Sequence, residues 1–422
     1  MARITELMLM GSLPGIPRLK AMRLWRLCAA VLLTLSACAV SAAIPETPAT
    51  PAEATSAPAV PTPAAAAAPS SSDAQSAPKA KEHSEFHGSI ELDNQYSSGT
   101  EPLRATLALS YSNLFSKQDE LSALYQLAPQ DSKQVGVFIA NYASQPLPGG
   151  LQPSVYFLDS STNVPTADTV GVLGKGHILG FRLSHALGAA ATQSLTLAMD
   201  YRHFRNTTAI AAGAASVIPV SYLNLSLAYA GNWSSAQREE AVTVSANFGP
   251  HGGANAPNAL ANGDFRAGAN YFYVRADGAL LASLPKGLRL YLRLAGQYSG
   301  KSLIIDEDYP VAGIDGVRGY LEAEVLGDRA LKGTVQLQSP TWKRGAKQIA
   351  DGFVYFDAAV ADMIDASPGE SLRVHPRSWG FGADLFPWKT VSASIVWARP
   401  LVTASSTQAG DSRILFLLRG SF

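Results

Sequence analysis

Cysteine is nearly missing from this chain, and the two that occur, Cys28 and Cys38, both lie in the first 43 residues, so the rest can hold neither a disulfide nor a thiolate metal site. An excess of either charge is also missing. Lys plus Arg and Asp plus Glu number 33 each, which removes the electrostatic case for nucleic acid or for an anionic lipid surface. Past the N-terminus there is no run of roughly 20 apolar residues, as a spanning helix needs. Any membrane crossing therefore falls to strands. No Gly-x-Ser-x-Gly elbow, P-loop or dinucleotide fingerprint occurs. The seven histidines (His83, His87, His177, His185, His203, His251 and His375) lack ligand spacing such as HExxH. These absences argue against an enzyme, a cofactor and a metal site.

What is present begins with an export segment. Arg23 and Arg26 precede the apolar Leu27 to Leu35, and small residues follow through Ser41-Ala42-Ala43, so residues 1–43 read as a signal peptide, with Met22 an alternative start. Leu35-Ser36-Ala37-Cys38 resembles a lipobox, which makes Cys38 a candidate for lipidation as the alternative to cleavage near Ala43. Residues 44–85 are rich in Pro, Ala, Ser and Thr and carry too little apolar surface to offset their ordering entropy, so they read as a disordered linker. Frequent proline makes such a linker extended and semi-stiff.

From Phe86 onward the hydrophobic period is two. Leu288, Leu290, Leu292 and Leu294 alternate with Arg289, Tyr291 and Arg293, and Leu195, Leu197, Met199 and Tyr201 alternate with Thr196, Asp200 and Arg202. About 16 segments of this kind can be marked, many of the length a tilted strand needs to cross a bilayer. They fall at 87–96, 102–112, 119–127, 133–143, 152–159, 176–187, 193–205, 217–230, 237–249, 263–275, 288–299, 329–339, 350–359, 377–386, 390–398 and 412–422. Connections after odd segments include the long ones, 160–175, 206–216, 250–262, 300–328, 360–376 and 399–411. Those after even segments are mostly short, as in outer-membrane barrels with long outer loops and short periplasmic turns. Residues 86–422 are thus expected to form an all-β, antiparallel, up-and-down transmembrane barrel. In the final segment Ile414, Phe416, Leu418, Gly420 and Phe422 share one face and both arginines the other, which suits lipid outside and a wet lumen inside.

The longest connection, 300–328, carries Gly313-Ile314-Asp315-Gly316-Val317-Arg318-Gly319-Tyr320, with Gly327-Asp328 opening the next segment and Gln338-Ser339-Pro340 closing it. Asp306-Glu307-Asp308 in the same connection lacks the full calcium-loop pattern and reads as a solvated tip. The glycine and Val-Arg-Gly-Tyr run resembles the two-partner secretion transporters, the haemolysin and filamentous-haemagglutinin secretion/activation proteins, in the superfamily of the outer-membrane barrel-assembly protein. The resemblance implies that this connection is the sixth outer loop, between strands eleven and twelve, and that it folds into the lumen. It also implies that Arg318 meets an aspartate on strand thirteen, where Asp357 is the candidate and Asp384 or a loop acid the alternative. The family's pattern of Gly or Phe, any residue, Asp, any residue, Gly is altered here to Tyr355 and Ala359. The family also carries a plug helix and two periplasmic client-binding domains, for which the chain offers only the linker.

The function so implied is an outer-membrane secretion pore gated by Val317, Arg318, Gly319, Tyr320 and Asp357. Phe416, Leu418 and Phe422 are the candidates for barrel closure and assembly. A passive channel and an adhesive surface barrel are the alternatives. The implied partners are outer-membrane lipid, the barrel-assembly machinery and a secreted exoprotein, with the barrel monomeric.

Overall fold

A computed structural model of the chain describes residues 85–161, 175–188, 192–210, 214–250, 270–345, 347–364 and 373–422. The signal peptide, Cys38 and the linker up to residue 84 lie outside the described residues. Sixteen strands form the wall. The first eight are β1 (Glu85–Asp93), β2 (Arg104–Ser112), β3 (Glu120–Leu127), β4 (Gly136–Ala143), β5 (Leu151–Ser160), β6 (Gly176–Leu187), β7 (Gln193–Ile210) and β8 (Ala214–Ser234). The second eight are β9 (Arg238–Phe248), β10 (Phe272–Ser283), β11 (Arg289–Ser299), β12 (Arg329–Gln338), β13 (Lys347–Asp362), β14 (Arg377–Trp388), β15 (Val391–Pro400) and β16 (Arg413–Ser421). Each pairs antiparallel with its chain neighbours, and β1 pairs with β16, so the sheet closes on itself.

Closure follows from the alternation. On β13, Phe353, Tyr355 and Asp357 are buried toward the lumen while Val354 and Phe356 are exposed on the outside. The outward band of Leu107, Phe138, Phe157, Leu179, Phe181, Leu197, Leu227, Phe381 and Ile395 would be an aggregation surface in water and is a lipid contact in a bilayer. Closure also removes the free edges an open sheet of this length would present.

Two expectations need correction. The segment expected at 263–275 is β10 at Phe272–Ser283. Asp277 lies mid-strand and accepts from Arg293 Nη2 on β11 at 2.7 Å. A wet lumen lets this charge stay in a strand. Of the loop expected at 206–216, residues 206–210 and 214–216 instead continue β7 and β8, whose pairing runs on from Asn206↔Ile218 to Ile210↔Ala214.

The seam between β1 and β16 is brief. It pairs Ser89↔Ser421 through Asp93↔Leu417 and is extended by reciprocal backbone bonds between Gly88 and Phe422, at 2.8 and 2.9 Å. The Phe422 ring lies over Gly88, where a Cβ would come within 2.4 Å of it and make the ring shift. Glu91 and Arg419 form an ion pair across the seam at 2.5 Å. Above Asp93 the chain leaves the wall, and the Asn94 side chain takes over the pairing. Its Nδ2 donates to the Ile414 carbonyl at 2.8 Å, and its Oδ1 accepts from the Phe416 amide at 2.9 Å.

The lumen-folded loop as candidate functional site

Residues 300–328, between β11 and β12, fold into the lumen as a strap with two arms. The strap has internal structure: Tyr309–Pro310 pairs with Leu326–Gly327, the Val311 amide donates to the Val325 carbonyl at 3.0 Å, and the Val317 amide donates to the Val311 carbonyl at 2.8 Å. Val311, Ala312, Val317, Tyr320 and Val325 bury together against Ala330, Ala359 and Ala361 of β12 and β13. This apolar burial favours docking, and the polar contacts set its register.

The second arm carries Arg318 to the β12–β15 wall. Arg318 Nε and Nη2 donate to Asp357 Oδ2 and Oδ1 at 2.8 and 2.9 Å, a planar fork on a carboxylate, and its own backbone amide donates to Oδ2 at 3.2 Å. Nη1 donates to Gln336 Oε1 of β12 at 2.9 Å. The guanidinium lies 3.4 Å from the centroid of the Tyr355 ring, so the aromatic two residues before Asp357 forms its platform. Burial works against the Arg318 charge, but the Asp357 carboxylate outweighs it and pushes the guanidinium further up. Asp384 is not the partner.

The residues flanking Arg318 fix its position. Gly319 has φ of +94°, and a Cβ would press on Pro400 and Ala398 of β15 at 3.0 to 3.1 Å, so glycine is needed twice over. Tyr320 hydroxyl donates to the Val402 carbonyl at 2.6 Å and accepts from the Val402 amide at 3.2 Å. Glu324 receives the Ser406 and Thr407 amides at 2.7 Å each and the Thr407 hydroxyl at 2.6 Å. The Glu322 amide donates to the Tyr96 carbonyl at 3.0 Å. The strap is thereby tied to the two outer loops beside the seam, 94–103 and 401–412.

The first arm overturns the expected solvated tip. Asp306, Glu307 and Asp308 are all buried. Glu307 Oε1 accepts from Arg202 Nη1 of β7 at 2.6 Å and from the Tyr222 hydroxyl of β8 at 2.7 Å, and Oε2 accepts from the Tyr273 hydroxyl of β10 at 2.5 Å. Its carbonyl accepts from Arg275 Nη2 at 3.1 Å and Gln297 Nε2 at 3.0 Å. Arg202 is shared with Asp200 at 3.0 Å. Beside this node Leu303 and Ile304 enter an apolar pocket lined by Tyr156, Leu158, Ile178, Phe204, Val220 and Tyr271. Where the arm leaves the wall, Asp328 accepts from the Leu303 amide at 2.5 Å and from the Ile364 amide at 2.7 Å.

Sequence reading missed Glu307, Arg202, Tyr222 and Tyr273. The available signal was the parity of Asp200 and Arg202, charges whose alternation with Met199 and Tyr201 assigns them to the lumen. Phe416, Leu418 and Phe422 lie with Ile414 on the lipid face, and the Phe422 ring is 6.2 Å from that of Phe86.

A closed barrel with an apolar outer band and a loop folded inside it defines an outer-membrane β-barrel protein. The model of the haemolysin secretion/activation proteins ShlB/FhaC/HecB matches residues 78–350, and the chain belongs to that family of two-partner secretion transporters, proteins of the Gram-negative outer membrane. The match includes Arg318 and ends before Asp357. Among solved structures, CdiB from Escherichia coli is similar at TM-score 0.60 and 14% identity, over 81% of this chain and 64% of that one. CdiB from Acinetobacter baumannii gives 0.56 and 13%, over 80% and 60%. BamA from Haemophilus ducreyi lacking POTRA domains 1–3 gives 0.58 and 13%, over 80% and 70%. At such identity the likeness is one of fold, and the chain spans less than two thirds of the CdiB chains' length. No curated protein matches the sequence.

Proposed function

We propose that this chain is a secretion pore of the two-partner type, in which the 300–328 strap occludes the lumen at rest and moves to let an extended protein client through. The observation that carries this reading is the Arg318 fork on Asp357, a buried, oriented contact that joins a loop to a wall it could otherwise leave. Packing alone would hold a plug of this kind without a charged pair, and breaking one buried partner is costly. The contact therefore gives the strap two discrete states, docked and released. Release also frees Tyr320 and Glu324 from the 401–412 loop, next to the end of the seam where β1 backbone pairing with β16 stops at Leu417. An extended client could pair with strand edges there.

The test is to delete the gene and compare proteins released to the medium by the parent, the deletion and a deletion complemented with Arg318→Ala. One large protein should disappear in the deletion and stay absent or strongly reduced with Arg318→Ala. An unchanged set of released proteins would overturn secretion. Steady solute conductance in that case would make the chain a passive channel, and lost cell attachment would make it an adhesive barrel.

We further propose that Phe422, placed outward at the end of the closing strand, is read during assembly. Phe422→Ser should lower the amount of heat-modifiable barrel in the outer membrane; unchanged abundance would remove that role.

A further inference from the structure

The neutral total charge conceals one local excess. At the end of the barrel opposite the strap, three neighbouring connections carry Lys286 (284–288), Lys343, Arg344 and Lys347 (the tip joining β12 and β13) and Lys389 (389–390). All five are exposed. The connections touch: a Cβ on Gly287 would meet Pro340 at 3.4 Å, and Lys347 Nζ donates to the Pro387 carbonyl. Among the described residues Lys286, Lys343, Arg344 and Lys389 have no ion-pair partner, and the nearest acids face elsewhere. Asp351 holds Arg289 at 3.0 Å, and Asp384 is its cross-strand neighbour on the same lumenal face. Other connections at this end differ. The stretch 144–150 has no charge, 113–119 balances Lys117 with Asp119, and 235–237 is followed by Arg238, which pairs with Glu240, and by Glu239.

Two tryptophans flank the cations. Trp342 and Trp388 are each 65% exposed. Trp342 pairs with Ala350 and Trp388 with Val391, positions that share the outward face with Val354 and Ile395. Both indoles thus stand at the foot of the lipid-facing band. Tryptophan prefers the level of lipid headgroups, and clustered Lys and Arg beside it favour anionic ones.

We infer that this patch binds the headgroups of anionic phospholipids in the periplasmic leaflet. One headgroup can meet the cations while its acyl chains meet Trp342, Trp388 and the apolar band, a match that an acidic polypeptide in the periplasm would make only in part. The inference rests on the barrel and its orientation, and holds whether or not the pore secretes.

The test uses the full chain folded into phosphatidylcholine vesicles containing either brominated phosphatidylglycerol or brominated phosphatidylcholine at equal mole fraction. Indole quenching is read, with a Trp342→Phe/Trp388→Phe variant giving the background of the other tryptophans. The anionic lipid should associate about fivefold more tightly per cation engaged, and the preference should shrink at about 1 M salt. It should vanish in Lys286→Gln/Lys343→Gln/Arg344→Gln/Lys347→Gln/Lys389→Gln and survive in Lys343→Arg/Lys389→Arg, both checked for heat-modifiable folding. Equal quenching by the two lipids in the unaltered chain would overturn the inference, as would a preference that persists in the Gln variant. Binding of a polyglutamate peptide without any lipid preference would assign the patch to an acidic protein instead.

Discussion

The two arms of the strap dock on opposite walls by inverse chemistry. On the β12–β15 wall the loop brings the cation, Arg318, to a single wall carboxylate, Asp357. On the β5–β10 wall the loop brings the anion, Glu307, to a cation and two phenols from three different strands. The first contact is compact, with its aromatic platform two residues from its acid. The second is distributed, and it sits in an apolar pocket with Leu303 and Ile304. A plug held at one wall swings; a plug held at both walls spans. The comparison implies that losing either node alone loosens one arm, and that the lumen clears only when both fail.

The largest effect should come from Glu307→Ala combined with Arg318→Ala. Arg318→Ala strands the buried Asp357 carboxylate, at a cost of roughly 3 to 5 kcal/mol where water stays out, whereas Glu307→Ala leaves Arg202 with Asp200 and takes the acceptor from the Tyr222 and Tyr273 hydroxyls. The nodes share no residue, so the losses in thermal stability should add, while conductance in planar bilayers should rise well beyond the sum of the two single variants. If conductance is merely additive, the arms move independently and the spanning picture fails.

Next is the cycle within one node. Arg318→Ala and Asp357→Ala act on one contact, so the double variant should be no less stable than the worse single. Strict additivity in thermal unfolding would mean that the two residues do not depend on each other.

Tyr355→Leu should be milder, lowering stability by roughly 0.5 to 2 kcal/mol through loss of the ring beneath Arg318, with Tyr355→Phe close to neutral because the ring face remains. Equal losses in the two variants would assign the effect to the hydroxyl.

The smallest and most graded effect is with pH. Burial pushes the Glu322 carboxyl up to about 8, while the Ile314 amide that it accepts, at 2.7 Å, pulls the other way. An acid whose pKa is raised on folding binds more protons folded than unfolded. Docking should therefore be tightest below about 4.5 and weaken as pH rises through about 8. Channel noise should grow across that window, and Glu322→Gln should flatten the response.

How much of this was legible follows from where each signal lies along the chain. The wall was readable because period two is local: Leu288 to Leu294 declares its strand without knowledge of its neighbours. The bounds of β10 were less legible, because Asp277 lies mid-strand against Arg293 and the lumen that tolerates it is made by the whole sheet. Arg318 and Asp357 were legible through a short motif whose expected partner lies on one named strand. Glu307 was not, because Arg202, Tyr222 and Tyr273 are scattered, and three successive acids look the same in sequence whether they face water or a buried arginine.

Most of the bonds that hold strand to strand in this wall join main chain to main chain, and every residue but proline brings the same peptide group to them. Asn94 is different. Where β1 leaves the wall, its carboxamide stands in for a peptide and satisfies both Ile414 and Phe416. One codon therefore controls two rungs of the ladder, and a leucine at that position would unbutton the outer end of the barrel while leaving every strand in place.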